Sequence, residues 1–304
     1  DPRKRNPADF ALWKKAEKGY LLKWNSPWGE GFPGWHIECC VMAMRYLGEQ
    51  IDIHGGGQEL ILPHHENEIA QAEAYTGKKP FARYWLHTGY LTINGEKMSK
   101  SLGNFISIKD ALKKYDPDVI RLFILSAHYR SQIDYNEASL KQAQLNLLRI
   151  RETLNQLYEV MEESEEIGET APREVNEARN RFIQAMEDDF NTPSALAELY
   201  RLVRSANAYL SSRSRHDRKV LKAYYDMILE LSQVLGLLQH YEPEKLSLQA
   251  DVKRILDILL KVREELRRRK LYDLSDDIRN KLAEIGIVVE DTAQGQRVRF
   301  RVIG

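Results

Sequence analysis

Cysteine is nearly absent: the 304 residues hold two, adjacent at Cys39 and Cys40. Neighbours so close cannot build a disulfide framework, so a stapled secreted scaffold is excluded and a reducing, intracellular setting is expected. Long apolar runs are lacking as well. None approaches the roughly 20 residues of a membrane-spanning helix, and the opening Asp1-Pro2-Arg3-Lys4-Arg5 has no signal-peptide core. The expectation is a soluble, cytoplasmic protein with no membrane partner. Excess charge of either sign is missing too, since 45 Lys+Arg balance 45 Asp+Glu. Any nucleic-acid surface must therefore be local. Internal repeats and low-complexity tracts are also absent.

What remains is a chain long enough for two or three domains. Residues 1–33 are rich in Trp, Pro and Gly, and a short helix over Asp9–Lys18 is predicted from the start signals Pro7 and Asp9. From Gly34 to Tyr129, short apolar runs such as Ile51-Asp52-Ile53 and Tyr90-Leu91-Thr92-Ile93 alternate with helix-like segments, which predicts an α/β arrangement with parallel strands. After Asn136 the pattern is helical, with Leu140, Leu147, Ile150, Leu154 and Leu157 on one face. Acidic residues Glu162–Glu169 read as a linker. A helical block over Arg173–His240 follows, one of its helices started by Asn191-Thr192-Pro193. The last block places Ile255, Leu259, Val262 and Leu266 on one face, carries the basic run Arg267–Lys270, and ends in a hairpin from Ile287–Glu290 through a turn at Gln294-Gly295 to Arg297–Val302.

The densest chemistry lies in Pro63-His64-His65-Glu66-Asn67-Glu68. Proline starts a helix there, and His64 and Glu68, four apart, project from one face. Imidazole and carboxylate at that spacing make two ligands of a tetrahedral zinc site, with the Cys39 thiolate as a third brought close by folding. Taken alone, Cys39 reads first as a small buried hydrophobe. The preceding His54-Gly55-Gly56-Gly57 shifts that balance, because successive glycines after a strand let the backbone come close to a ligand. Lys97-Met98-Ser99-Lys100-Ser101 places two ammonium groups and two hydroxyls on one short loop, a set suited to a polyphosphate. As an isolated pentapeptide it reads first as a solvated loop.

Asp9–Lys14, Gly34–Cys39, His54–Gly57 with Pro63–Glu68, Lys97–Asn104, Ala127–Ser131, Asp188–Pro193 and Asp276–Arg279 with Gly286-Ile287 together resemble the cysteinyl-tRNA synthetase family over nearly the whole chain. The resemblance implies a class I ligase. Its catalytic domain would be Rossmann-type, followed by an all-α bundle and a small α+β C-terminal domain. The implied activity is ATP-dependent activation of L-cysteine and transfer to the 3′ end of tRNA(Cys). It implies one Zn2+ per chain held by Cys39, His64 and Glu68, which would take the substrate thiolate where serine's hydroxyl cannot compete. Trp35 would wall the amino-acid pocket. His54, Gly55, Gly56, Ser99, Lys100 and Ser101 would meet ATP, with Lys97 and Lys100 stabilising the developing pyrophosphate and Mg2+ accompanying the phosphates. The implied layout is a catalytic insertion over 1–33, half of the Rossmann domain over 34–130, stem-contact helices over 131–171, a DALR-like bundle over 172–245 and an anticodon-recognition domain over 246–304. A monomer is expected.

The pattern is departed from in places. The upstream His-x-Gly-His signature and an earlier zinc-ligating cysteine of the family are not in this sequence, so the N-terminal half of the catalytic domain is expected as a partner, on the same polypeptide or a separate one. Water, a neighbouring group or Cys40 is expected at the fourth zinc position. Glu59 stands where the family has aspartate, and Val298 where it has tryptophan. Two other readings are a ligase joining cysteine to an amino-sugar, and a non-catalytic RNA- or zinc-binding fragment.

Overall fold

The structure, a computed structural model, describes residues 2, 4–98, 103–212, 215–243, 250–292 and 295–300. It is a mixed α/β protein of helices and small sheets, divided into two units, Asp1–Tyr241 and Glu242–Gly304.

In the first unit the predicted helix over Asp9–Lys18 is replaced by strand β1 (Trp13–Lys15), paired antiparallel with β2 (Gly31–Pro33). A segment that short gains too few internal hydrogen bonds to nucleate a helix alone, and cross-strand pairing satisfies its backbone instead. Helix α1 (Trp35–Leu47) follows. Strand β3 (Ile51–Gly57) and strand β4 (Ala82–Thr88) then pair in parallel, with α2 (Glu66–Thr76) in the connection. That crossover is the α/β arrangement expected from alternating apolar runs. Cys40, Ile51, Ala72, Phe81 and Ala82 form the core beneath it. His54–Gly57 belong to β3 itself, not to a loop after it, so His54 stands opposite Trp85 and Gly56 opposite His87.

Strand β5 (Leu91–Ile93) lies between β6 (Glu96–Lys97), antiparallel to it, and β7 (Ile133–Tyr135), parallel to it. Between β6 and β7 run α3 (Ile108–Leu112) and α4 (Pro117–Leu125). Asn136 caps α5 (Glu137–Glu162), its Oδ1 accepting from the Ser139 backbone N–H at 2.8 Å. The five residues read as one face, Leu140, Leu147, Ile150, Leu154 and Leu157, are all buried. They pack with α6 (Arg173–Glu187), α7 (Thr192–Ser212) and α8 (Arg218–Val234) around Phe182, Leu199, Leu202, Leu221 and Ile228. The acidic linker before α6 is tied down by the buried Asp217, whose Oδ2 accepts from the N–H groups of Ile167 and Glu169, both at 2.9 Å.

The second unit holds α9 (Ala250–Arg268), α10 (Tyr272–Glu284) and the antiparallel hairpin of β8 (Ile287–Thr292) and β9 (Gly295–Phe300). The expected turn residue Gln294 and the strand end Arg301–Val302 lie outside the described residues. Val298 pairs with Val289 and packs on the small core of Leu256 and Leu282. The buried face of α9 keeps the expected Leu259, which packs on that core, but not Val262, which is 45% exposed, while Leu256 and Arg263 are buried. Arg263 donates to Gln296 Oε1 at 2.7 Å, so a polar partner on β9 draws the arginine inward. No helix among the described residues is long and apolar enough to cross a membrane.

Candidate metal centre and its histidine surround

Helix α1 carries Trp35, His36 and Cys39 at three- and four-residue spacings, so all three share one face. Facing them is the chain just before α2. A wide turn over Ile61–His65 delivers His64 and His65 into the interior, and the α-helix proper starts at Glu66, three residues after the expected Pro63. Cys39, His64 and Glu68 converge there, with ligand atoms all within 4.8 Å of one another. His54, His65 and Glu68 form a second group that meets the same criterion and shares the carboxylate.

Glu68 is fully buried. Its Oε2 lies 2.7 Å from His54 Nε2, while Oε1, 3.5 Å from His64 Nε2, takes no hydrogen bond among the described residues. A carboxylate oxygen sealed from water without a partner is costly, and a cation between thiol, imidazole and carboxylate removes that cost. The donor set fits Zn2+, since sulfur, nitrogen and oxygen are its usual ligands and the thiolate favours it over hard cations.

The imidazole of His64 is prepared for that role. Its Nδ1 lies 2.7 Å from His36 Nδ1, one ring donating and the other accepting, which leaves Nε2 toward Glu68. Burial and then the neighbouring His64 hold the His36 pKa down, consistent with a neutral ring. Trp35 stacks on His64 with centroids 4.1 Å apart and planes at 25°, and is itself 54% exposed. Burial, then Glu68, pushes the Cys39 thiol up, so metal binding there must displace a proton. Cys40 points into the core instead, 1% exposed, with its pKa pushed up to about 11 by burial. One residue along a helix is a rotation of about 100°, which separates the two thiols.

Behind this group lies a row of rings that sequence reasoning did not assemble. His65 Nδ1 lies 2.8 Å from His87 Nε2, and Trp85 packs against both His54 and His65. His65 is 3% exposed and its pKa is lowered to about 4, mainly by burial and then by His54. Gly56 makes room for it: a Cβ there would come within 2.9 Å of His65 Cε1 and 2.8 Å of Leu60 Cδ1. His54 and Gly56, expected at ATP, thus stand against Glu68 and His65 respectively, and Gly55 beside the Leu86 backbone. Strand alternation was the available signal for His87, which stands two residues beyond Trp85 on the same face of β4.

Lys97 is exposed on β6, with Nζ 4.8 Å from the Tyr90 ring centroid. Its carbonyl accepts from Asn104 Nδ2 at 3.2 Å, drawing the two ends of the lysine loop together. The hairpin before the loop is fixed by Asp134, whose Oδ1 accepts from Gly95 N–H and Thr92 Oγ1, each at 2.7 Å. Ser99, Lys100 and Ser101 lie outside the described residues.

Residues 1–145 match the tRNA synthetases class I (C) catalytic domain, 181–239 the DALR domain, and 250–299 the cysteinyl-tRNA ligase anticodon binding domain. Among solved structures, LeuRS of Agrobacterium radiobacter K84, crystallised in a ternary complex with tRNA and LeuAMS, shares the fold at a TM-score of 0.53 and 16% identity, over 71% of this chain and 34% of its own. These define a class I aminoacyl-tRNA synthetase fold. The cysteine–tRNA ligase of Thermococcus gammatolerans is 46% identical over 96% of this chain, and that of Bacillus cytotoxicus 48% identical over 97%. Within the class, the chain belongs to the cysteinyl-tRNA synthetase family. It spans 62% of the length of each of these two relatives.

Proposed function

We propose that this chain is the metal-bearing part of a cysteine–tRNA ligase, which activates L-cysteine with ATP and passes it to the 3′ end of tRNA(Cys). The observation that carries this reading is the convergence of Cys39, His64 and Glu68, whose buried carboxylate oxygen Oε1 takes no hydrogen bond among the described residues. Zn2+ bound there supplies a soft acid that takes a thiolate far better than a hydroxyl, which separates cysteine from serine. His36 and His54 fix the ring of His64 and the carboxylate of Glu68 through the contacts at 2.7 Å. Trp35, stacked on His64 and half exposed, walls the amino-acid pocket.

Lys97 and Lys100 neutralise charge gathering on pyrophosphate as the cysteine carboxylate attacks the α-phosphorus, with Ser99 and Ser101 on the same loop and Mg2+ held by the phosphates. His54, Gly55 and Gly56 lie on β3, in the half of a Rossmann-type sheet that residues 34–130 contribute to the ATP site. The residues before Gly34 belong to an insertion in that domain, 131–171 to stem-contact helices, and 172–245 to the bundle. The domain over 246–304 reads the anticodon, with the basic run Arg267–Lys270 and the hairpin, and its family match favours a tRNA over an amino-sugar acceptor. The protein works as a cytoplasmic monomer.

The test is cysteine-dependent ATP–pyrophosphate exchange by this chain, alone and mixed with the remaining portion of a relative supplied as a separate polypeptide. Exchange that requires cysteine, is not supported by serine and is lost on Cys39→Ala is the expected result. Exchange absent from both preparations, or indifferent to Cys39, overturns the reading.

A further inference from the structure

Two motifs that the metal centre does not use, Ala127–Ser131 and Asp188–Pro193, meet in the folded chain. Asp189 stands in the turn between α6 and α7 with φ of +53°, followed by Phe190 at +54°, a left-handed pair uncommon for side-chain-bearing residues. That turn aims the Asp189 carboxylate at the segment after α4. Oδ2 accepts from Arg130 Nε at 2.5 Å, and Oδ1 accepts from Tyr129 Oη at 2.7 Å and Arg130 Nη2 at 3.3 Å. His128 Nε2 is 4.0 Å from Oδ2.

The other side of the same segment grips the end of β4. Gly89 N–H donates to the Tyr129 carbonyl at 2.7 Å, and a Cβ at Gly89 would collide with the Ser131 carbonyl, so the two backbones touch where only glycine fits. Two residues before Gly89 is His87, bonded to His65 beside the metal centre. The Arg130 charge reaches it: burial first, then Arg130, lowers the His87 pKa.

We infer that Arg130 and Asp189 are a positioning pair, through which the α6–α7 turn of the helical bundle sets the end of β4 and the placement of His87 for the reaction. Neither residue touches the proposed ligands. Asp189 acts on Arg130, the segment carrying Arg130 acts on β4, and β4 carries His87. The bearing on cysteine activation rests on the function proposed above.

The test uses Asp189→Asn, Arg130→Gln and the double variant. Asparagine tolerates the left-handed turn, so the first substitution removes charge without straining the backbone. Side-chain spectra of the chain labelled with 15N-histidine should show the His87 ring signals displaced in all three variants, in the double variant no further than in Arg130→Gln alone, with His216 and His240 unmoved. His87 signals that coincide with wild type, or displacements that add in the double variant, overturn the pair. In a preparation that supports exchange, kcat should fall about tenfold in each variant, with the cysteine KM held within about twofold. An unchanged kcat overturns the positioning role. If the wild-type protein shows no exchange, it is the proposed function that fails, and the ring signals still decide the pairing.

Discussion

Glu68 gives one carboxylate oxygen to His54 at 2.7 Å and holds the other free of hydrogen bonds, facing His64 and Cys39 among the described residues. The two oxygens therefore have separate tasks. In the proposed centre His54 fixes the orientation of the carboxylate, and the opposite oxygen is the one that would meet the cation. His54→Ala should weaken zinc binding by about 10–100-fold, as expected for loss of a group that orients a ligand. Competition against a chromophoric chelator measures it. Affinity equal to wild type would assign His54 to another role.

Gly56 is explained by its neighbour and not by its own flexibility. Gly56→Ala places a methyl 2.9 Å from His65 Cε1 and 2.8 Å from Leu60 Cδ1, inside the van der Waals limit. The ring is confined by His87 and Trp85 and has little room to move. Denaturant unfolding should show a loss of about 1–3 kcal/mol, the usual cost of overpacking.

The buried His65 gives the fold a dependence on pH. Its pKa falls from 6.5 to about 4, chiefly through burial, so between those values the unfolded chain binds more protons than the folded one. Its contribution to stability is complete above about pH 6.5 and is lost as pH drops toward about 4. Unfolding free energies of the metal-free chain should decline across that window, and the decline should be shallower in His65→Asn. A slope identical to wild type would remove His65 as the cause.

Leu154 lies at the centre of the bundle core with no exposed surface. Leu154→Ala removes buried methyl groups and leaves a cavity, with an expected loss of about 2–5 kcal/mol. Thermal or denaturant unfolding checks it, and metal affinity at temperatures below the transition should be unaffected.

Legibility in the sequence followed the kind of signal each element carries. The face of α5 was readable because leucines and isoleucine recur at helical spacing, and all five named residues are buried. The convergence of Cys39 with His64 and Glu68 was readable as chemistry, because few roles suit that set of side chains. Strand β1 was not, since Trp13–Lys15 takes its conformation from Gly31–Pro33 and not from its own pattern. The buried face of α9 was readable only in part: Leu259 packs on the core as its spacing predicts, but an apolar-periodicity reading gives arginine to solvent, whereas Arg263 finds its partner on β9. His36, inside a quoted motif, and His87 were given no role for a similar reason: their partners His64 and His65 lie 28 and 22 residues away, a separation that only the packing of α1, α2 and β4 closes.

In the proposed function Cys39, His64 and Glu68 hold a metal whose remaining position takes the substrate's sulfur. The most direct measurement is the absorption spectrum of the Co2+-substituted chain titrated with L-cysteine and, separately, with L-serine. Thiolate-to-metal charge-transfer absorption is expected before any amino acid is added, with its loss in Cys39→Ala and a further increase with cysteine but none with serine. A spectrum that cysteine leaves unchanged, or one that persists without the Cys39 thiol, would contradict it.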